Sequence, residues 1–203
     1  ISTDEVFGTV EFPHKFNEDS KYDPRSPYSA SKASSDHLVN AWVHTYGIKA
    51  LTTNCCNNYG PWQFPEKLIP LTILKALNNQ YIPIYGNGEN VREWIFVEDH
   101  INALLNVATK GEIGKKYCIG SKNEISNIKL VKKICIILDQ LTESNKKHES
   151  LIKFVQDRSG HDKRYSIDSS LISNELGWEA NTDFDQGLYR TIKWYLSNLD
   201  WCK

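Results

Sequence analysis

Two groups of residues have the types and spacing for proton chemistry. Tyr28 and Lys32 stand four apart in "SPYSASKASSDHLV", and Thr3, Asp4 and Glu5 are consecutive in "ISTDEVFG". Residues four apart on a helix are stacked neighbours. An ammonium so placed favours the phenolate, and a phenol is a poor base at neutral pH without such help. Two adjacent carboxyls in different surroundings suit an elimination, with one protonated to give a proton and the other ionised to take one. Three consecutive side chains cannot converge along a strand. They can in a loop just beyond its carboxyl end, where open α/β sheets place their ligands.

The elements that must position these groups alternate between strand-like and helix-like patterns, which predicts an α/β architecture. "ISTDEVFG" reads as the end of a strand running into a loop. A domain rarely starts on the end of a core strand, so the chain is expected to be a piece of a longer one. Ser26 is the N-cap, Pro27 the first position and Gly47 the C-terminal stop of a helix. Ala30, Ala33, Leu38, Ala41, Trp42 and Thr45 fall on one broad face of it, broader at Trp42 than a single core stripe requires. Further helices are expected in "KLIPLTILKALNNQ", "NIKLVKKICIILDQL" and "DFDQGLYRTIKWYLSNL", the last with Phe184, Leu188, Ile192 and Tyr195 on one stripe. Strands are expected in "IKALTTNCC", "YIPIYG", "KKYCIGS" and at the start of "ESLIKFVQDRSGHDKRYSID", which ends in a charged loop, while "NGENVREW" reads as a turn leading into "IFVEDHINALLNVATKG". No G-x-G-x-x-G follows a strand; "GNGE" at Gly86–Glu89 is a turn.

Composition sets bounds. The 203 residues carry 40% hydrophobic and 24% charged side chains and a net charge of −1. That is an ordinary globular composition with no basic field for nucleic acid or anionic membrane. No apolar run approaches the roughly 20 residues of a membrane span, and the first residues do not read as a signal peptide. Five cysteines without a C-x-x-C pair fit free thiols in a reducing compartment rather than a disulfide frame or a zinc site.

Five stretches taken together carry a resemblance: "ISTDEVFG", "SPYSASKASSDHLV", "TNCCNNYGPWQFPEKLIP", "IPIYGNGENVREWIFVEDH" and "DRSGHDKRYSID". In order and spacing they resemble the nucleotide-sugar 4,6-dehydratases of the extended short-chain dehydrogenase/reductase superfamily, and among these the dTDP-glucose 4,6-dehydratases. The resemblance implies the carboxyl-terminal part of an extended Rossmann-type fold with an interleaved substrate domain. Residues up to about 60 would complete the cofactor domain, and the remainder would form mainly the substrate domain. It implies a cytoplasmic hydro-lyase of deoxysugar (dTDP-rhamnose) and lipopolysaccharide biosynthesis, with NAD+ as cofactor, a dTDP-glucose substrate, a homodimeric state and no metal.

The same resemblance implies roles. Thr3 and Tyr28 would grip the sugar 4-hydroxyl, and Tyr28 would take its proton. Lys32 would lower the Tyr28 pKa and bind the nicotinamide ribose. Glu5 would remove the C5 proton, and Asp4 would protonate the departing C6 hydroxyl. Asn58 would lie at the nicotinamide–sugar junction, and Glu66, Lys67 and Leu68 would line the pocket. Pro83 and Tyr85 would hold the base, and Arg92, Asn127, Arg158 and His161 would meet the diphosphate and ribose. Phe7, Cys56 and Ser159 depart from the usual tyrosine, serine and proline of the family. The glycine-rich loop and the acid for the adenosine ribose have no counterpart in these residues, so the 203-residue chain alone is expected not to turn over. Two other readings stand beside this one. A sister epimerase or decarboxylase would share Tyr28 and Lys32 but lack the acid pair, and a non-catalytic remnant would bind without turnover.

Overall fold

The computed structural model describes residues 1–143 and 147–202. In chain order its strands are β1 (Ser2–Thr3), β2 (Thr52–Cys55), β3 (Asn57–Tyr59), β4 (Ile82–Tyr85), β5 (Val91–Phe96), β6 (Lys116–Ile119), β7 (Glu124–Ser126) and β8 (Ile152–Val155). Its α-helices are α1 (Pro27–Tyr46), α2 (Leu68–Leu77), α3 (Val97–Lys110), α4 (Asn127–Leu141), α5 (Ser170–Leu176) and α6 (Phe184–Ser197). Among the described residues no helix is long and apolar enough to cross a membrane. The chain folds into two compact units. One holds Ile1–Asn58, Arg92–Glu124 and Asp162–Asn181, and the other holds Tyr59–Val91, Ile125–His161 and Thr182–Lys203.

In the first unit β1, β2 and β6 form a parallel sheet, with Ser2 opposite Asn54 and Asn54 opposite Cys118. Parallel strands are buried on both faces, and Cys55, Tyr117 and Ile119 pack with Ile95, Ala103, Val107, Ile172 and Trp178 on α3, α5 and their neighbours. A second cluster joins Val6 and Phe7 to Ala33 of α1, Cys118 and Ile167. Glu93 is fully buried in this unit. One carboxylate oxygen accepts from the amides of Ser121 (2.7 Å) and Lys122 (2.8 Å), and the other from the amide of Ile167 (2.8 Å). These charge-assisted bonds offset its desolvation. A Cβ on Gly120 would lie 2.5 Å from the Glu93 Oε1, so only glycine fits there. Arg164 forks onto Glu124 at the start of β7 at 2.7 and 2.9 Å and reaches the carbonyl of His14 at 2.8 Å, tying the loop after Phe7 to that residue.

In the second unit β4 and β8 pair in parallel, Ile82 opposite Ile152. α2, α4 and α6 pack on one another through Ile69, Ile73, Leu130, Ile134, Leu138, Leu188, Ile192 and Tyr195, all buried. The stripe expected on the last helix is thus its packed face, with Phe184 half-buried at its start.

One local expectation changes. Val91–Trp94 is strand and not turn: the charges of Arg92 and Glu93 mask its strand pattern, yet both side chains are buried. The broad face of α1 is largely exposed, with Leu38 57% and Trp42 52% accessible. The residues that α1 buries are Ser29, Ala33 and Asp36.

Candidate active site

β1 ends at Thr3, and a tight 3-10 turn, Asp4–Phe7, follows at once. Thr3 caps that turn: its Oγ1 accepts from the Glu5 amide at 3.3 Å and donates to Asp4 Oδ1 at 3.2 Å. The turn allows the three side chains to converge where a strand would alternate them. Asp4 is 2% exposed and Glu5 half-buried. Asp4 Oδ2 is buried with no hydrogen-bond partner among the described residues. Burial first, and then the charges of Glu5 and Glu93, push the Asp4 carboxyl up to about 8, against the Thr3 hydroxyl and Arg92. At pH 7 such a group is protonated about ten to one.

α1 delivers Tyr28 and Lys32. Ser26 and Ser29 form a reciprocal capping box, Ser29 N to Ser26 Oγ at 3.1 Å and Ser26 N to Ser29 Oγ at 3.0 Å, and Pro27 opens the helix. The first turn is therefore pinned, and Tyr28 lies in it, 55% exposed. The Lys32 ammonium donates to the carbonyl of Ile1 at 2.7 Å. Burial, and then Glu5, Cys55 and Asp4, push the Tyr28 phenol up. That reverses the expected direction: acids face the phenol, while the nearest bond of Lys32 goes to the backbone of β1.

Asn58 Nδ2 donates to the Cys56 carbonyl at 3.3 Å and to Cys55 Sγ at 3.5 Å. Arg92, expected as a phosphate fork, is 7% exposed in this unit. It donates to the Asp162 carbonyl at 2.9 Å and lies 4.3 Å over the Tyr165 ring. Its charge pulls against the upward shift of Asp4, so it stands in the electrostatic surroundings of the acid pair.

The second unit assembles its own cluster. The Arg158 guanidinium lies 5.0 Å over the Tyr85 ring, and its Nη2 is 3.1 Å from His161 Nε2. His161 Nδ1 is 2.7 Å from Asp157 Oδ1. A guanidinium only donates, so Nε2 accepts and the imidazole proton sits on Nδ1, toward Asp157. The His161 bond holds the Asp157 carboxyl below its ordinary value. Pro83 lies in β4 beside Tyr85. Glu66 and Lys67 pair at 3.2 Å at the start of α2, with Lys67 as its N-cap and Leu68 as its first residue. Asn127 opens α4, its amide bonded to the Asn90 carbonyl at 3.0 Å. Its side-chain oxygen is buried without a hydrogen-bond partner among the described residues.

The structure thus brings Thr3, Asp4 and Glu5 together in one turn, and Tyr85, Arg158 and His161 into one cluster. Sequence reasoning missed Glu93 and Asp157. The spacing of Asp157 four residues before His161 is the one signal that could have shown the latter. Among the described residues no group of three or more His, Cys, Asp or Glu side chains could hold a metal ion.

The model of the family described as GDP-mannose 4,6 dehydratase matches residues 1–191. The chain belongs to this family. It is 54% identical over 203 residues to a dTDP-glucose 4,6-dehydratase of Xanthomonas campestris pv. campestris, covering 99% of this chain and 58% of that protein. The solved DesIV dTDP-glucose 4,6-dehydratase of Streptomyces venezuelae, with NAD bound, superposes with a TM-score of 0.92 at 43% identity, covering 98% of this chain and 60% of that one. The dTDP-glucose 4,6-dehydratase of Bacillus anthracis str. Ames, in complex with NAD, gives 0.90 at 42%, covering 98% and 61%. The fold is therefore that of the extended Rossmann-type dehydratases, and the chain spans about three fifths of those proteins' length.

Proposed function

We propose that the protein carrying this chain dehydrates dTDP-glucose to dTDP-4-keto-6-deoxyglucose, a hydro-lyase reaction with NAD+ as cofactor. The observation that carries the reading is the unequal acid pair. Asp4 is buried, with a carboxyl near 8 and one oxygen that has no hydrogen-bond partner among the described residues, directly beside the half-buried Glu5.

The donor set on α1 fits the nicotinamide end of the cofactor. The Lys32 ammonium uses one of its three N–H groups on Ile1, and the Tyr28 phenol is open. Tyr28, Lys32 and Asn58 would hold it. Bound NAD+ would supply the hydride chemistry, drawing hydride from C4 and giving it back at C6 while C5 regains the proton held by Glu5. Thr3 and Tyr28 orient the 4-hydroxyl, and Tyr28 takes its proton; with Asp4 protonated, one of the acids opposing the phenolate is neutral. The C4 ketone acidifies C5, whose proton Glu5 removes. Asp4 gives its proton to the C6 hydroxyl, and water leaves. Tyr85 offers a ring to the base, and Arg92, Asn127, Arg158 and His161 are assigned to the diphosphate and ribose, with Glu66, Lys67, Leu68 and Pro83 lining the pocket.

A homodimer accompanies this reading. α1 presents Leu38, Trp42 and Tyr46 at spacings of four, 57%, 52% and 72% exposed, which suits packing against a second copy of the helix. Its five free cysteines support a cytoplasmic enzyme of dTDP-rhamnose biosynthesis. The test is incubation of the whole protein with NAD+ and dTDP-glucose. A product lighter by one water supports the proposal, and a 4-epimer of unchanged mass would replace it with the epimerase reading.

A further inference from the structure

We propose that Asp36 is a positioning residue that sets the Thr3–Asp4–Glu5 turn against the helix carrying Tyr28; this rests on the dehydratase reading. Asp36 lies on α1 one turn beyond Lys32 and two beyond Tyr28, on the same face. A carboxylate in mid-helix ordinarily points to water, yet Asp36 is 8% exposed. Its Oδ2 accepts three hydrogen bonds: from Ser2 Oγ at 2.7 Å, Tyr22 OH at 2.9 Å and Asn54 Nδ2 at 3.3 Å. The same Asn54 amide donates to the Thr3 carbonyl at 3.0 Å.

These bonds form a clasp along β1. The Ile1 carbonyl is held by Lys32, the Ser2 hydroxyl by Asp36, and the Thr3 carbonyl by Asn54, which Asp36 holds in turn. Three consecutive residues, Ile1 and the two of β1, are therefore tied to α1 or to a group bonded to it. Ser2 and Thr3 pair with β2, and the clasp adds side-chain ties from α1 immediately before Asp4, where the turn begins. Asp36 touches neither Asp4 nor Glu5 directly. It acts by preserving a geometry that catalysis needs to within fractions of an ångström.

The test compares Asp36→Ala and Asp36→Asn in the whole protein. Loss of the carboxylate is expected to lower kcat by about 10- to 100-fold while KM for the nucleotide sugar stays within about twofold. Asparagine keeps an oxygen for the three donors and is expected to restore most of that loss. Hydrogen exchange supplies a readout independent of turnover. In Asp36→Ala the peptide covering Thr3–Phe7 should exchange at least about tenfold faster, while peptides from β6 remain as in the unaltered protein. If Asp36→Ala does not fold, Ser2→Ala and Tyr22→Phe each remove one donor and should accelerate the same peptide alone. Unchanged exchange of Thr3–Phe7 in the soluble variants overturns the proposal, and so does a loss of activity seen in KM rather than kcat. Unaltered protein that fails to dehydrate dTDP-glucose overturns the functional reading instead and leaves the exchange result to decide the clasp.

Discussion

Replacement of Asp4 by asparagine tests the acid assignment without any substrate. The carboxyl moves from an ordinary 3.8 to about 8 on folding, and at 2% exposure solvent does little to screen it. A group whose folded pKa lies above its unfolded one contributes most to stability below the unfolded value, and this is lost as pH rises through the folded one. Over pH 5 to 8 the unfolded Asp4 is ionised while the folded one keeps its proton, so folding costs up to about 1.4 kcal/mol more per pH unit. Integrated with the curve flattening near 8, the term is on the order of 3 kcal/mol between pH 5 and pH 8. Asp4→Asn has the same shape and no titration. Its stability relative to the unaltered protein should therefore rise by about that amount across the interval, because all other titrating groups are common to both. Urea unfolding followed by tryptophan fluorescence at four pH values measures the difference. A difference that stays flat from pH 5 to 8 would mean that Asp4 is ionised at neutrality, and the proton donor would have to be sought elsewhere.

Other outcomes follow from the same geometry. Glu5→Gln should abolish exchange of the C5 proton with solvent while hydride transfer from C4 remains measurable; equal loss of both would end the division of labour between the acids. Trp42→Glu should convert a two-chain mass in light scattering to one chain with unchanged helical content; a monomer in the unaltered protein would remove the helix-pairing idea. Arg158→Ala removes the guanidinium over Tyr85 and should raise KM for the nucleotide sugar about tenfold with little change in kcat, as steady-state kinetics would reveal. Burial pushes Cys55 and Cys135 to about 12 and Cys56 well above its ordinary value, so a thiol reagent at pH 8 should label Cys202 first, as peptide mass mapping would show.

What could be read from the sequence was local chemistry. Ser26, Pro27 and Gly47 mark the ends of α1 because caps are decided within a few residues, and the structure has Gly47 in the left-handed conformation. The acid pair was legible by type, since Thr3, Asp4 and Glu5 are adjacent. Its asymmetry was not: the Asp4 carboxyl is raised by burial, then by Glu5 and by the charge of Glu93, and opposed by Arg92, the last two nearly ninety residues away in the chain. Strand β5 was hidden for the same reason. Two charges in a row read as solvent-facing, and it takes the amides of Ser121, Lys122 and Ile167 with the Ser166 hydroxyl to make a buried Glu93 tolerable. For α1 the sequence shows a broad apolar face at Leu38 and Trp42, but what an apolar side chain packs against is not written in its own helix. Asp36 drew no notice because a mid-helix aspartate reads as surface until Ser2, Tyr22 and Asn54 are seen to converge on it.

The glutamate held by three backbone amides has a bearing on how this sequence can drift. Its carboxylate occupies the volume that a side chain on Gly120 would need, so the two positions are not free to vary singly. Alanine at 120 collides with the carboxylate, and a shorter residue at 93 leaves three amides without an acceptor. Shortening residue 93 removes the collision at 120 but leaves the three amides unsatisfied whatever fills position 120. The two sites should therefore be coupled in a deep mutational scan, alanine at 120 costing much with glutamate at 93 and little once residue 93 has been shortened.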